Sequence, residues 1–300
     1  MRGLLIEHLA AGRQSTRHSL EAKALFPADP VYPTIADVDW QRCTAEADGR
    51  IEGVHLWFEG DELIGFVWPE DNQAVHLVVH PGHAEVEPLL LRWAEDWRRQ
   101  CGGPSALTEL GVWVFENDAR RIGLLGESGY SRSELARVLY HRSLAEPVPP
   151  PFLRYGYTIV AVAVASPAER ASFYNTAFPG ARRTAAQCSA LLRSPAYRAD
   201  LDLWAIAPRG EPAAYALACL DPVNQLGILQ PVACHPAHRH HGLGTALLHE
   251  CMGRLKASGA VDVQVQAWSE ETTTIRLYQG TGFRIAGRNV LWLKTMTGQR

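Results

Sequence analysis

The sequence predicts a mixed α/β protein made of two domains with one common plan. The stretch "AEPVPPPF", residues 145–152, is rich in proline and divides the chain near its middle. Short motifs recur on either side of it at nearly constant spacing. His80-Pro81 precedes His235-Pro236 by 155 residues, and Gly129-Tyr130 precedes Gly282-Phe283 by 153. Such repetition predicts an internal duplication, with domains at 1–147 and 155–300 and a linker at 148–154.

The second half alternates strand and helix patterns, which predict a mostly antiparallel central sheet flanked by helices. The capping boxes "SPAE" (166–169) and "TAAQ" (184–187) predict the starts of two helices. A third helix is predicted at 242–257 and a fourth ending near Gly280. Apolar runs between turn residues predict the strands, which are in order "YTIVAVAVA", "LDLWAIA", "AAYALACL", "GILQPVAC", "VDVQVQAW", "FRIAG" and "VLWLK".

The stretch "HPAHRHHGLGTALL", residues 235–248, is open to three interpretations. Its four histidines could bind a metal, but their spacing is poor for a closed tetrahedral site, and we predict none. It could be a plain helix start. It could also be a phosphate cradle, because a strand leads into Arg239-x-x-Gly242-x-Gly244 and then a helix. Glycines permit close backbone approach, and the first-turn N–H groups of a helix attract anionic oxygens.

These motifs resemble those of the GNAT superfamily of acyl-CoA-dependent N-acyltransferases. "VACHPAHRHHGLGTALL" resembles the family's pyrophosphate-binding segment, and "IRLYQGTGF" resembles its final helix and the following strand. The resemblance covers residues 155–295 with specific motifs, and the first half only through its spacing and its "HPGH" and "GESGY" echoes. The whole chain is similar to tandem GNAT proteins, of which mycothiol synthase is a known type.

The resemblance implies acetyl-CoA, or another acyl-CoA, as co-substrate, and no metal. It implies that the backbone at Val232, Ala233 and Cys234 pairs with the pantetheine arm. The diphosphate would be held by the loop at the helix start, which comprises Arg239, His240, His241, Gly242, Leu243, Gly244 and Thr245. Tyr278 matches the family's general acid, which protonates the departing thiolate. Gln230 and Trp268 are candidates for substrate contacts.

The first half lacks these features. On the His-Pro alignment, Ala84 stands for Arg239 and Glu87 for Gly242, while Leu125 stands for Tyr278. Carboxylates at the cradle would repel phosphates. The first half is therefore expected to be a degenerate, non-catalytic copy.

The second half departs from the family pattern at the base that deprotonates the amine. The family often has a glutamate on the strand before the cradle, where this chain has Ile228 and Gln230. Neither can accept a proton, so water, His235 or an acidic residue of the first half would have to do so. An acyl-enzyme on Cys234 is disfavoured, because no His–Asp pair stands beside it in the motif.

The resulting expectation is transfer of a short acyl group to the amine of a small molecule in a ternary complex. Two alternatives stay open: a non-catalytic acyl-CoA sensor, and acetylation of protein N-termini or lysines. Basic and acidic residues number 14 and 23 in residues 1–150 but 15 and 9 in residues 151–300, so the second half favours an anionic ligand. No nucleic-acid or membrane partner is expected, the six cysteines are expected to be reduced, and a cytoplasmic location is expected. The sequence leaves the acceptor and the oligomeric state open.

Overall fold

The computed structural model describes residues 40, 43, 45, 47, 54–70, 73–102, 108–161, 165–222, 224–268 and 272–296. The chain forms two compact units. The first contains residues 1–35, 50–139 and 286–300, and the second contains 36–49 and 140–285. This division follows contacts in space rather than the sequence repeat, so the linker at 148–154 stays a prediction.

The first unit has a sheet with strand order β1-β2-β3-β4-β11. Its strands are β1 (His55–Glu59), β2 (Glu62–Pro69), β3 (Ala74–Val79), β4 (Thr108–Phe115) and β11 (Arg284–Met296, from residue 286 onward). Helix α1 (Glu87–Gly102) packs on β2, β3 and β4, and α2 (Ala119–Glu127) follows β4. Strand β5 (Ser131–Ser143) begins in this unit and ends in the second.

The second unit has the strand order β10-β9-β8-β7-β6. The strands are β6 (Thr158–Ala161), β7 (Asp202–Ile206), β8 (Pro212–Asp221), β9 (Leu226–Cys234) and β10 (Asp262–Trp268). Helices α3 (Pro167–Ala177) and α4 (Ala185–Leu192) pack on each other, α5 (Leu243–Ala257) packs on β7, β8 and β9, and α6 (Thr272–Gly280) follows β10. Leu247, Leu248 and Leu255 of α5 are fully buried against this sheet. Their burial fixes the position of the helix start that follows β9.

The sequence predicted the helices of the second unit well. Both capping boxes form: Ser166 and Glu169 exchange hydrogen bonds at the start of α3, as Thr184 and Gln187 do at the start of α4. The prediction of two separate final strands was wrong, because β11 runs unbroken from Arg284 to Met296. Residues 287–289 resemble a turn in sequence, but pairing with β4 keeps them extended, with Asn289 opposite Phe115.

The repeated motifs form matching turns. His80 and His235 each cap a 3-10 turn through Nδ1, which accepts the N–H of Gly82 at 3.1 Å and that of Ala237 at 3.2 Å. Gly129 and Gly282 end α2 and α6 with φ of 83° and 85°. The sequence repeat therefore reflects a repeat of local structure.

Candidate active site

Strands β9 and β10 separate partway along their length. They pair in parallel from Leu226 and Asp262 to Ile228 and Gln264, where the recorded register ends. Beyond this point β9 continues to pair with β8, with a bulge at Gln230 and Pro231, which are joined by a cis peptide bond. The parting of the two strands exposes one backbone edge of β9.

The exposed edge belongs to Val232 and Cys234. The N–H of His235 donates to the carbonyl of Ala213 at 2.9 Å, and Tyr215 lies opposite Ala233. Because hydrogen-bonded and non-hydrogen-bonded pairs alternate in an antiparallel ladder, the backbone groups of Val232 and Cys234 point away from β8. This edge can pair with an extended ligand that carries amides.

The turn after β9 uses its polar side chains internally. The Nδ1 of His235 caps the turn, so its Nε2 carries the proton in the neutral ring, and a role as base would require breaking the cap. The Cys234 thiol donates to the carbonyl of His238 at 3.4 Å. Burial raises the pKa of this thiol to about 11, although the Arg239 guanidinium acts in the opposite direction. The thiol therefore stays protonated at neutral pH.

The segment just before the start of α5 consists of Arg239, His240 and His241. Arg239 donates from Nη2 to the carbonyl of Ala177 at 3.0 Å and so caps the C-terminus of α3. His240 is exposed with φ of 65°, and the Nδ1 of His241 lies 3.2 Å from the carbonyl of His238. The side chains of Arg239 and His241 thus make contacts within the protein, and the backbone amides of this loop stay available to a ligand.

The N-terminus of α5 is capped by no side chain. Its N-cap Gly242 has φ of 77°, in the left-handed region that favours glycine, and a Cβ there would meet nothing within 4 Å. The first-turn N–H groups of Leu243, Gly244 and Thr245 have no partners within the helix. A helix start of this kind, with the helix dipole behind it, has the groups that bind anions.

Gly244 also lies close to α6. A Cβ at Gly244 would lie 3.2 Å from the side chain of Leu277, so this glycine allows α6 to pack against the first turn of α5. The next residue of α6, Tyr278, is buried. Its ring centroid lies 5.1 Å from that of Tyr140 and 5.7 Å from that of Phe283. The tyrosine is therefore held beside the helix start rather than in solvent.

A small pocket lies at the bulge of β9, with about 10 Å³ open to the centre of a water molecule, which is room for about one water. Its walls are mainly apolar and come from β8, the end of α4 and the segment after α4; they comprise Trp40, Leu191, Ser194, Ala196, Tyr197, Leu217 and Cys219, with Gln230 of the bulge. Sequence reasoning predicted only Gln230. The other walls come from separate elements, and no motif marks them.

The pocket wall is held by a buried carboxylate. Asp202 accepts hydrogen bonds from the hydroxyl of Tyr197 at 2.8 Å and from Nε1 of Trp204 at 3.0 Å, and it pairs with Arg170 at 2.6 Å. Burial, with the Asp202 charge beside it, raises the pKa of Tyr197. The Tyr197 side chain is therefore a fixed, neutral part of the wall.

The remaining predicted residues are more loosely connected with this site. Trp268, at the end of β10, is 45% exposed, and Ile228 is buried where the two strands part. Within the described ranges, one group of three side chains could hold a metal ion, namely Glu62, His80 and His83 of the first unit. Among the described residues, the four histidines between positions 235 and 241 form no such group.

In the first unit, the matching helix start is that of α1, and charged side chains of the protein itself lie there. Glu87, the first residue of α1, is fully buried and forms ion pairs with Arg120 and Arg121 of α2. Leu125, which aligns with Tyr278, is buried in the core. A carboxylate of the protein thus lies at the helix start where a bound phosphate would need to lie.

Comparison with known proteins agrees with this geometry. Residues 155–283 match the model of the acetyltransferase (GNAT) family. None of the curated proteins searched matches the sequence. Among the described residues, no helix is both long and apolar enough to cross a membrane.

Several solved structures share the fold. A GCN5-related N-acetyltransferase from Sphaerobacter thermophilus is 19% identical with a TM-score of 0.68, covering 97% of this chain and 91% of its own. A tandem GNAT protein from the clavulanic acid biosynthesis pathway is 17% identical with a TM-score of 0.71, covering 100% of this chain and 95% of its own. A GCN5-related N-acetyltransferase from Kribbella flavida is 18% identical with a TM-score of 0.53, covering 86% and 95%. The predicted fold class is confirmed, and residues 155–283 match the acetyltransferase (GNAT) family model.

Proposed function

We propose that this protein transfers a short acyl group, acetyl in the simplest case, from acyl-CoA to an amine of a small molecule. The observation that carries the proposal is the uncapped N-terminus of α5, which directly follows the exposed edge of β9. An anion site next to an unpaired strand edge fits a ligand with a diphosphate and an amide-containing arm.

The backbone supplies the binding groups. The amides of Leu243, Gly244 and Thr245 would bind the diphosphate, and the edge of Val232 and Cys234 would pair with the pantetheine amides. Open space above Gly242 leaves room for the phosphate oxygens. In the first unit, the carboxylate of Glu87 would repel these oxygens, so we propose one acyl-CoA per chain.

The acceptor would bind over the bulge of β9, because the pocket there has room for only about one water molecule. The apolar walls of this pocket favour a small molecule that is apolar near the amine. Gln230 would orient the acceptor through a hydrogen bond. The amine would then attack the thioester carbonyl directly, and Tyr278 would protonate the departing thiolate.

Direct attack is favoured over an acyl-enzyme because the Cys234 thiol is neutral and donates a hydrogen bond to the carbonyl of His238. The proton of the amine has no acceptor on β9, since Ile228 and Gln230 cannot take it. We propose that the amine enters unprotonated or loses its proton to water. This arrangement predicts a rate that rises with pH as the amine deprotonates.

The full chain can be tested by calorimetry with CoA and by thiol release from acetyl-CoA with a panel of amines. Tight CoA binding with thiol release on small apolar amines would support the proposal. Release only with peptides would favour a protein acetyltransferase. CoA binding without thiol release on any amine or peptide would favour a non-catalytic acyl-CoA sensor. The absence of a base on β9 is the observation that favours this alternative.

A further inference from the structure

An exposed tyrosine stands beside the proposed diphosphate site. Tyr155 is 68% exposed, and its ring lies edge-to-face with His241 at 5.7 Å between centroids. His241 directly precedes Gly242, the N-cap of α5. The Tyr155 ring is therefore one side chain away from the amides of the helix start.

The backbone at Tyr155 adopts a conformation that disfavours a large side chain. Tyr155 and Gly156 have φ of 57° and 74°, and the N–H of Tyr157 donates to the carbonyl of Arg154 at 3.2 Å. Two successive positive φ values in a hydrogen-bonded turn are typical of type I′, where asparagine and glycine are favoured. A tyrosine at this position is unfavourable for folding, and its ring gains little burial in return.

The turn is fixed on both sides. Before it, the His249 side chain of α5 hydrogen-bonds the carbonyl of Pro150. After it, the Tyr157 hydroxyl lies 2.9 Å from Nδ1 of His238, and its ring lies 5.7 Å from that of His241. The exposed ring is thus presented by an anchored segment.

We propose that Tyr155 is a stacking platform for the adenine ring of acyl-CoA. The inference rests on the proposed function, since it assumes that the diphosphate lies at the start of α5. The adenosine leaves the diphosphate on the side away from the pantetheine arm, so it emerges at the surface of the cradle. An aromatic face there stacks on a purine without hydrogen bonds that specify the base.

The chain offers a matched control. Phe152 lies in the same segment and is 67% exposed, but the guanidinium of Arg154 lies 5.2 Å from its ring centroid. We find no contact between Phe152 and the cradle among the described residues. Phe152→Ala therefore removes an equally exposed ring from the same segment and should leave ligand affinity unchanged.

The experiment measures the affinity of the full chain for CoA and for 4′-phosphopantetheine, which lacks the 3′-phosphoadenosine and one phosphate of the diphosphate. Tyr155→Asn removes the ring while suiting the turn, and it should weaken CoA binding about tenfold and leave phosphopantetheine binding unchanged. Tyr155→Phe should keep the affinity for CoA. The melting temperature of each variant separates loss of stacking from loss of structure.

Three results would overturn the platform. CoA affinity could be unchanged in Tyr155→Asn, both ligands could weaken equally, or Phe152→Ala could weaken CoA as much as Tyr155→Asn does. In each of these the wild type still binds CoA, so the proposed function survives. A wild type that binds neither ligand would overturn the proposed function and the platform with it.

Discussion

Glu87, the first residue of α1, aligns in sequence with Gly242, the N-cap of α5, which lies 155 residues later. The glycine leaves open space and unpartnered first-turn amides, whereas the carboxylate is buried and clamped by Arg120 and Arg121. One position in a repeated turn thus separates a helix start that can take an external anion from one that supplies its own.

Gly242→Val should abolish CoA binding, because valine is strained at φ of 77° and its side chain would enter the space above the helix start. Calorimetry on the full chain should detect one CoA per wild-type chain and none for the variant. Gly253→Ala, an exposed site inside the same helix, is the control and should raise stability by about 1 kcal/mol without changing affinity. Retained binding in Gly242→Val would move the ligand elsewhere.

Glu87→Gln should destabilise the first unit, because it leaves Arg120 and Arg121 without their buried partner. Breaking a buried ion pair costs about 3 kcal/mol of unfolding free energy. Because the Arg120 side chain is half exposed, we expect a smaller loss here. Urea denaturation measures the loss. Unchanged stability of Glu87→Gln would contradict the clamp on α2.

Tyr278→Phe should lower kcat at least tenfold and leave CoA affinity nearly unchanged, because it removes only the proposed proton donor. Tyr140→Phe is the matched control. Its buried hydroxyl has no hydrogen-bond partner in the described structure, so its removal should raise stability by about 1 kcal/mol. Equal losses of kcat in both variants would assign the proton transfer to the pair, and full kcat in Tyr278→Phe would remove the assignment.

Cys234 should react slowly with iodoacetamide at pH 7 to 8, because its pKa is raised to about 11 from 9.0. The folded protein holds the thiol proton more tightly than the unfolded chain does. The associated stability is therefore present below pH 9 and is lost as pH rises to about 11. Mass spectrometry follows alkylation, and Cys234→Ser should keep acyl transfer; a stable acyl adduct on Cys234 would contradict direct attack.

Gly244→Val should destabilise the second unit by about 1–3 kcal/mol, because the added carbons would clash with Leu277. Leu277→Ala in the same chain should restore part of the stability, and a double-mutant cycle in urea measures the coupling. Additive losses would contradict contact between the two side chains.

Local features of this protein could be predicted from its sequence. The capping boxes at Ser166 and Thr184 and the glycine-rich start of α5 depend on neighbouring residues only, so their patterns are sufficient. The pocket walls at Leu191, Tyr197 and Leu217 could not be predicted, because three separate elements meet there only after folding.

Long-range pairing explains the other misses. The clamp on Glu87 needs Arg121, which lies 34 residues further along the chain. Strand β11 was predicted in two parts because Gly287 and Asn289 suggest a turn, and pairing with its neighbours β4 and β5 makes the strand continuous. The contact between Gly244 and Leu277 of α6 was likewise not predictable, because the two residues meet only in the folded chain.

Strand β11 is synthesised late but completes the sheet of the first unit, so this sheet cannot form fully in the order of synthesis. Residues 289–296 of β11 pair with β4 along its whole length, from Thr108 to Phe115, and belong to the first unit. During translation, the sheet of the first unit therefore stays incomplete until β11 has been synthesised, and one edge of β4 is unpaired until then. Any chain truncated before β11 would retain that open edge and the risk of aggregation that accompanies it.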